Sequence, residues 1–189
     1  MAAIQQKYDS IWDADRPTIV FTGSSSIRMW EDLDLRFPEH QVLNTGFGGS
    51  QFSDLEAYLD QLVLDYRPVK VFIYEGDNDI SARKRQREIL ETAENVILRL
   101  KRAKADLQIV LISPKPSISR WNLRGKYKRL NRKLNRLADN YQGVEFVDVW
   151  NPMLEGRKVN QELFLEDGLH LNAKGYDIWY DQLKNHVEP

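Results

Sequence analysis

Thr18-Ile19-Val20-Phe21-Thr22-Gly23-Ser24-Ser25-Ser26-Ile27 is the stretch on which the fold turns. Five β-branched or aromatic residues run without a charge into a glycine, and three serines follow. A strand with one face in water alternates apolar and polar side chains, whereas a strand covered on both faces has no such need. Thr18 to Thr22 therefore reads as a strand inside a parallel sheet. Gly23 permits an abrupt turn. Serines at the start of a helical turn place hydroxyls where free backbone N–H groups and the helix dipole favour negative charge. The same serines also suit plain helix capping.

Working outward, four more segments share the β-branched, nearly continuous apolar character: Gln41 to Asn44, Val69 to Tyr74, Gln108 to Ile112 and Val144 to Val149. Helical periodicity fills the intervals. Leu55, Leu59, Leu62, Val63 and Tyr66 share one face, with a Ser53–Glu56 capping box at the start and Arg67-Pro68 as the stop. A longer helix is predicted from about Ala82 to Lys104, burying Ile89, Ala93, Val96, Ile97 and Leu100. A third carries Tyr127, Leu130, Leu134 and Leu137 inward, and the last begins near Asn172 with Tyr176, Trp179, Leu183 and Val187. Strands alternating with helices imply an α/β fold, a three-layer α/β/α sandwich around a five-stranded parallel sheet. The expected strand order is the flavodoxin-like 2-1-3-4-5. With 189 residues and no linker, repeat or low-complexity tract, the expectation is a single domain over 1–189.

Ligands of open parallel sheets sit beyond the carboxyl ends of the strands. There the second strand gives Asn44-Thr45-Gly46-Phe47-Gly48-Gly49-Ser50, the third Glu75-Gly76-Asp77-Asn78-Asp79, and a late loop Asp167-Gly168-Leu169-His170. The glycines allow close backbone approach or positive φ. Asn78 offers an amide N–H₂ to an oxyanion, or closes a turn. Asp167 stands three residues before His170, a spacing that lets a carboxylate fix an imidazole's tautomer and stabilise its charged form. Of the three histidines, His40 lies in a charged loop and His186 near the end of the last helix, so only His170 has both a local carboxylate and the right position.

Taken in order, Gly23-Ser24-Ser25-Ser26, the Asn44 to Gly49 loop, Gly76-Asp77-Asn78-Asp79 and Asp167-Gly168-Leu169-His170 resemble the four signature blocks of the SGNH/GDSL-type hydrolase (esterase/acylhydrolase) family. The resemblance spans about residues 18 to 187 and implies the SGNH hydrolase fold. Carried over, it makes Ser25 the nucleophile, His170 the general base and Asp167 its orienting carboxylate. The implied oxyanion hole comprises the N–H groups of Ser25 and Gly49 and the side chain of Asn78. One position departs from the family's name motif: Ser24 stands where it has Asp, which bears on substrate preference rather than on catalysis. Gly23 to Arg28 followed by Met29-Trp30 is similar to a subgroup of small, intracellular-type bacterial members, and the fold likeness extends to the catalytic subunits of platelet-activating-factor acetylhydrolase. The implied activity is hydrolysis of carboxylic esters, short acyl or acetyl ones preferred, with no cofactor and no metal.

Composition sets the rival readings. Hydrophobic residues make up 42% and charged residues 29%, while 27 Lys plus Arg against 28 Asp plus Glu give a formal charge of -1. That balance argues against nucleic acid or a membrane as partner. The absence of cysteine excludes a thiol nucleophile and thiolate metal sites. Met1 to Asp15 lacks the apolar run of a secretory leader, so the expected localisation is cytoplasmic. Against the overall balance, Lys115, Arg120, Arg124, Lys126, Lys128, Arg129, Arg132, Lys133 and Arg136 form a basic 115–136 segment with no acidic residue. A non-catalytic anion or nucleic-acid binding module is thus the alternative, although the helix phase turns most of these charges to water. An acyltransferase using the same acyl-enzyme is another. Phe47, Phe52, Trp121 and Trp150 are candidates either for the rim of the site or for the core, and Pro114 to Gly125 for an irregular bordering loop.

Overall fold

In the computed structural model, which describes residues 6–8 and 11–187, the opening stretch forms β1 (Thr18–Gly23) and turns at once into a single helical turn, α1 (Ser25–Arg28). There follow β2 (Gln41–Asn44), α2 (Phe52–Ala57), α3 (Leu59–Leu62), β3 (Lys70–Tyr74), α4 (Asp77–Ser81), α5 (Gln86–Ala103), β4 (Gln108–Ile112), α6 (Arg124–Ala138) and β5 (Val144–Val147). A two-stranded antiparallel ribbon, β6 (Leu154–Glu155) with β7 (Lys158–Val159), precedes the final α7 (Ala173–Leu183). The five main strands pair in parallel in the order β2-β1-β3-β4-β5. Of the amino-terminal stretch read for a leader, residues 1–5, 9 and 10 lie outside the described residues, as do 188 and 189 at the other end. Among the described residues no helix is long and apolar enough to cross a membrane.

Alternation along the buried strands sorts the core into two halves. Val20, Val71, Ile73, Ile109 and Leu111 face α2, α3, α5 and α6. Ile19, Phe21, Phe72, Tyr74, Val110 and Ile112 face α1 and α7. The central β1–β3 pair is cemented by Phe21 stacked on its register partner Phe72, with ring centroids 4.2 Å apart. On the same face Trp30, Tyr176 and Trp179 pack together and bind the last helix to the first.

Four boundaries differ from the sequence reading. The capping box is built by Gln51 and Asp54 rather than Ser53 and Glu56, because burial of Phe52 starts the helix earlier. That helix is interrupted at Tyr58 and resumes as α3 and a 3₁₀ turn, Leu64–Tyr66, while Leu55, Leu59, Leu62 and Val63 stay fully buried. The long helix begins at Gln86 rather than Ala82, since Arg83 takes φ 61°, which a right-handed helix cannot contain. Finally, β5 stops at Val147, where Asp148 Oδ1 accepts the N–H of Trp150 at 2.8 Å and turns the chain out of the ladder.

Candidate active site

Gly23 sets the first piece in place. Its φ is 136°, and a Cβ there would lie 2.1 Å from the carbonyl oxygen of Tyr74, so only glycine lets β1 and β3 approach this closely where the chain leaves the sheet. Ser24 is the N-cap of α1 but its side chain makes no capping hydrogen bond. The capping role that suits such serines is therefore not the one used. Ser25, half-buried, is the first residue of α1, so its N–H has no acceptor within the helix. The turn is braced from two sides: Asn44 Nδ2 donates to the carbonyl of Ile27 at 2.7 Å, and the Tyr176 hydroxyl donates to that of Ser26 at 2.9 Å.

The far loop arrives ready-folded. Leu165 N–H bonds to the His170 carbonyl at 2.8 Å and Gly168 N–H to that of Leu165 at 2.9 Å, closing a tight turn. Within it Asp167 Oδ1 accepts the N–H groups of Leu169 and His170, each at 2.9 Å. Its Oδ2 meets His170 Nδ1. Burial disfavours the Asp167 charge, but those two N–H groups and the imidazole outweigh it and hold the carboxyl at about 2. An ionised carboxylate only accepts, so Nδ1 carries the proton and Nε2 presents its lone pair. That Nε2 lies 3.0 Å from Ser25 Oγ, across 145 residues of chain. The structure thus brings Ser25, His170 and Asp167 into one line.

Two further loops lie close by: Phe47 N–H donates to the carbonyl of Gly23 at 2.8 Å, and Asn78 is tied to the same loop through Ser50. Gly49, exposed, has φ 80°, and among the described residues its N–H donates to no protein acceptor. Asn78, in the first turn of α4, donates through Nδ2 to the carbonyl of Ser50 at 2.9 Å. Ser50 in turn donates its hydroxyl to Glu75 Oε1 at 2.6 Å. Burial drives the Glu75 carboxyl well above the ordinary range, with the Ser50 hydroxyl offsetting part and the neighbouring Asp79 adding to the rise. His40 and His186 stand apart from the line; His186 Nδ1 meets Glu145 Oε2 at 2.6 Å.

Asp77 is the hub that sequence reasoning missed. Arg120 Nη1 donates to its Oδ1 at 2.6 Å, the Tyr74 hydroxyl to Oδ2 at 2.9 Å, and the Tyr127 hydroxyl to Oδ1; Lys115 Nζ lies 3.7 Å from Oδ2. Burial works against the charge, yet Lys115, Arg120 and Tyr127 together hold Asp77 below the ordinary carboxylate range. Lys115, 1% exposed, also donates to the carbonyl of Leu169 at 2.6 Å, and Ser119 N–H to that of Gly168 at 3.0 Å. Of the nine cations of the basic segment, Lys115 is thus buried and Arg120 half-buried against Asp77. The available signal was position: Lys115 sits between Pro114 and Pro116 directly after β4, at the carboxyl end of a parallel strand. Of the aromatic candidates, Phe52 and Trp150 are core, while Phe47 and Trp121 are partly buried against it. Among the described residues no group of three or more His, Cys, Asp or Glu is placed to hold a metal ion.

Known proteins share the family and the fold. The GDSL-like lipase/acylhydrolase family matches the chain over residues 9–178. A Streptococcus pneumonia structure named for platelet activating factor superposes with a TM-score of 0.87 at 26% identity, covering 99% of this chain and 92% of that one. A GDSL-like lipase from Bacteroides thetaiotaomicron gives a TM-score of 0.81 at 20% identity over 97% and 96%. An acetylxylan esterase from Geobacillus stearothermophilus gives 0.76 at 18% over 90% and 94%. No protein of curated function matches the sequence.

Proposed function

The chain belongs to the GDSL-like lipase/acylhydrolase family, whose enzymes are carboxylic ester hydrolases, and from that premise we propose that it cleaves short acyl or acetyl esters through Ser25, His170, Asp167 and a covalent acyl-enzyme. The observation that carries the reading is the 3.0 Å contact between Ser25 Oγ and His170 Nε2, with the ring fixed behind by Asp167.

His170 takes the hydroxyl proton as Oγ attacks the ester carbon, and the carbonyl electron pair moves onto oxygen. The oxyanion is met by the N–H groups of Ser25 and Gly49 and by Asn78. Collapse expels the alcohol, which receives its proton from His170. Water then gives a proton to the same imidazole, attacks the acyl-enzyme, and releases the acid with Ser25 restored. Asp167 stays ionised throughout and stabilises the imidazolium. A half-exposed nucleophile and base suit a small acyl group. The acetylxylan esterase neighbour, whose solved catalytic mutants alter a serine in one case and a histidine in another, supports the acetyl preference.

The test is a panel of aryl esters of increasing acyl length together with acetylated sugars, run with wild type and Ser25→Ala. The acetyl esters should give the highest kcat/KM, and Ser25→Ala should retain only the residual rate of the remaining site. A fluorophosphonate should label wild type at one equivalent, on Ser25. Wild-type turnover by Ser25→Ala sinks the reading.

A further inference from the structure

An asparagine side chain is a good oxyanion donor only if its amide cannot flip, because a flipped amide offers a lone pair where an N–H is needed. In this protein both ends of the Asn78 amide are occupied. Arg120 Nη1 and Nη2 each donate to Asn78 Oδ1 at 3.2 Å. One Nδ2 hydrogen goes to the carbonyl of Ser50 at 2.9 Å. The amide is planar, so these contacts leave one N–H whose direction is already set. Arg120 is itself fixed, since its Nη1 also donates to Asp77 at 2.6 Å, and Asp77 is buried and held by Tyr74 and Tyr127. A lysine has no rigid fork and cannot serve both oxygens in this geometry.

We propose that Arg120 is a positioning residue that locks the Asn78 amide with its free N–H toward the oxyanion, using Asp77 as its anchor. The inference rests on Asn78 being an oxyanion donor. It assigns a role to a residue of the loop after β4, which thereby arms the site as well as bordering it. Loss of the fork frees the amide without removing it, so the damage falls on kcat and largely spares KM.

The experiment is a double-mutant cycle on p-nitrophenyl acetate with wild type, Arg120→Lys, Asn78→Ala and the pair combined, each first checked for an intact melting transition. Asn78→Ala should lower kcat on the order of 10²–10³-fold. Arg120→Lys should lower it on the order of 10–100-fold, with KM within about twofold. The combined variant should be no slower than Asn78→Ala alone, because the lock has no value once its amide is gone. If Arg120→Lys does not fold, the same cycle is read with Arg120→Gln, which keeps an amide donor but drops the charge. Wild-type kcat in the Arg120 variant, or losses that multiply in the combined variant, overturns the lock. Wild-type kcat in Asn78→Ala overturns the donor assignment beneath it instead.

Discussion

Asp167 and Glu75 show how differently two carboxyls are held beside one site. Asp167, half-exposed, is kept at about 2 by backbone N–H groups and its imidazole, outweighing the cost of its partial burial. Its depressed value means that whatever stability it lends is present above the ordinary aspartate value of about 3.9 and is lost as pH falls through about 2. It therefore stays ionised across the working range, and in Asp167→Asn kcat should fall between about 10² and 10⁴-fold. Glu75 has the opposite sign. Burial raises it, so the folded state keeps a proton that the unfolded chain has released above roughly 4.3, and stability drains away as pH rises. Glu75→Gln retains a partner for Ser50 without that drain. Thermal melts should show it gaining on wild type as pH rises above the unfolded glutamate value of about 4.3; parallel curves would contradict this. That Ser25, Asp167 and His170 meet was legible because their short motifs, taken in order, resemble the family's blocks; Gly49 and Asn78 were named as candidates in the same way. Arg120, Lys115 and Glu75 were not, because their importance lies in burial and in partners 43, 54 and 25 positions away, and no local pattern carries that.

Among the elements, the loop after β4 does the joining. Lys115 reaches Asp77 on one side and the carbonyl of Leu169 on the other, so one ammonium couples the α4 turn to the turn that carries His170. Burial depresses its basicity and Asp77 partly restores it. Lys115→Met should cost on the order of 3 kcal/mol, the range for stripping one partner from a buried ion pair. Amide exchange at Leu169 and His170 should accelerate more than exchange in β1. Equal protection in both places would show that the two turns stand without it. Gly23→Ala belongs to the same scale. With a Cβ placed 2.1 Å from the Tyr74 carbonyl, β1 and β3 must part, and melting should report a loss on the order of 3 kcal/mol with turnover falling in step. Element boundaries were the least legible part of the sequence. The break at Tyr58 and the positive φ of Arg83 interrupt helices whose apolar periodicity runs on unbroken, and hydrophobic spacing does not encode such interruptions.

Across the whole molecule, layer order and strand identity followed from patterning. Uncharged β-branched runs separated by amphipathic helices admit few arrangements other than a doubly wound sheet. The basic segment divides once folded: Lys115 and Arg120 turn inward, while Arg124, Lys126, Lys128, Arg129, Arg132, Lys133 and Arg136 remain on α6 without an ion pair among the described residues. Such a solvated face should be inert in the reaction. Hydrolysis of a neutral ester should hold steady up to about 0.5 M salt, and a Lys126, Arg129 and Arg136 to Gln variant should keep wild-type kcat. A steep salt dependence would give that face a part in the chemistry.

Tyr176 and Trp179 of the final helix seal the layer against which the Ser25 turn rests, and the imidazole enters only six residues before Tyr176. A ribosome making this protein must therefore pass residue 170 before the chain can hold its imidazole. Every strand can have emerged and paired while Ser25 remains an ordinary alcohol. A chain ended at residue 169 would lose the imidazole together with the Tyr176 and Trp179 cover, and should hydrolyse no ester.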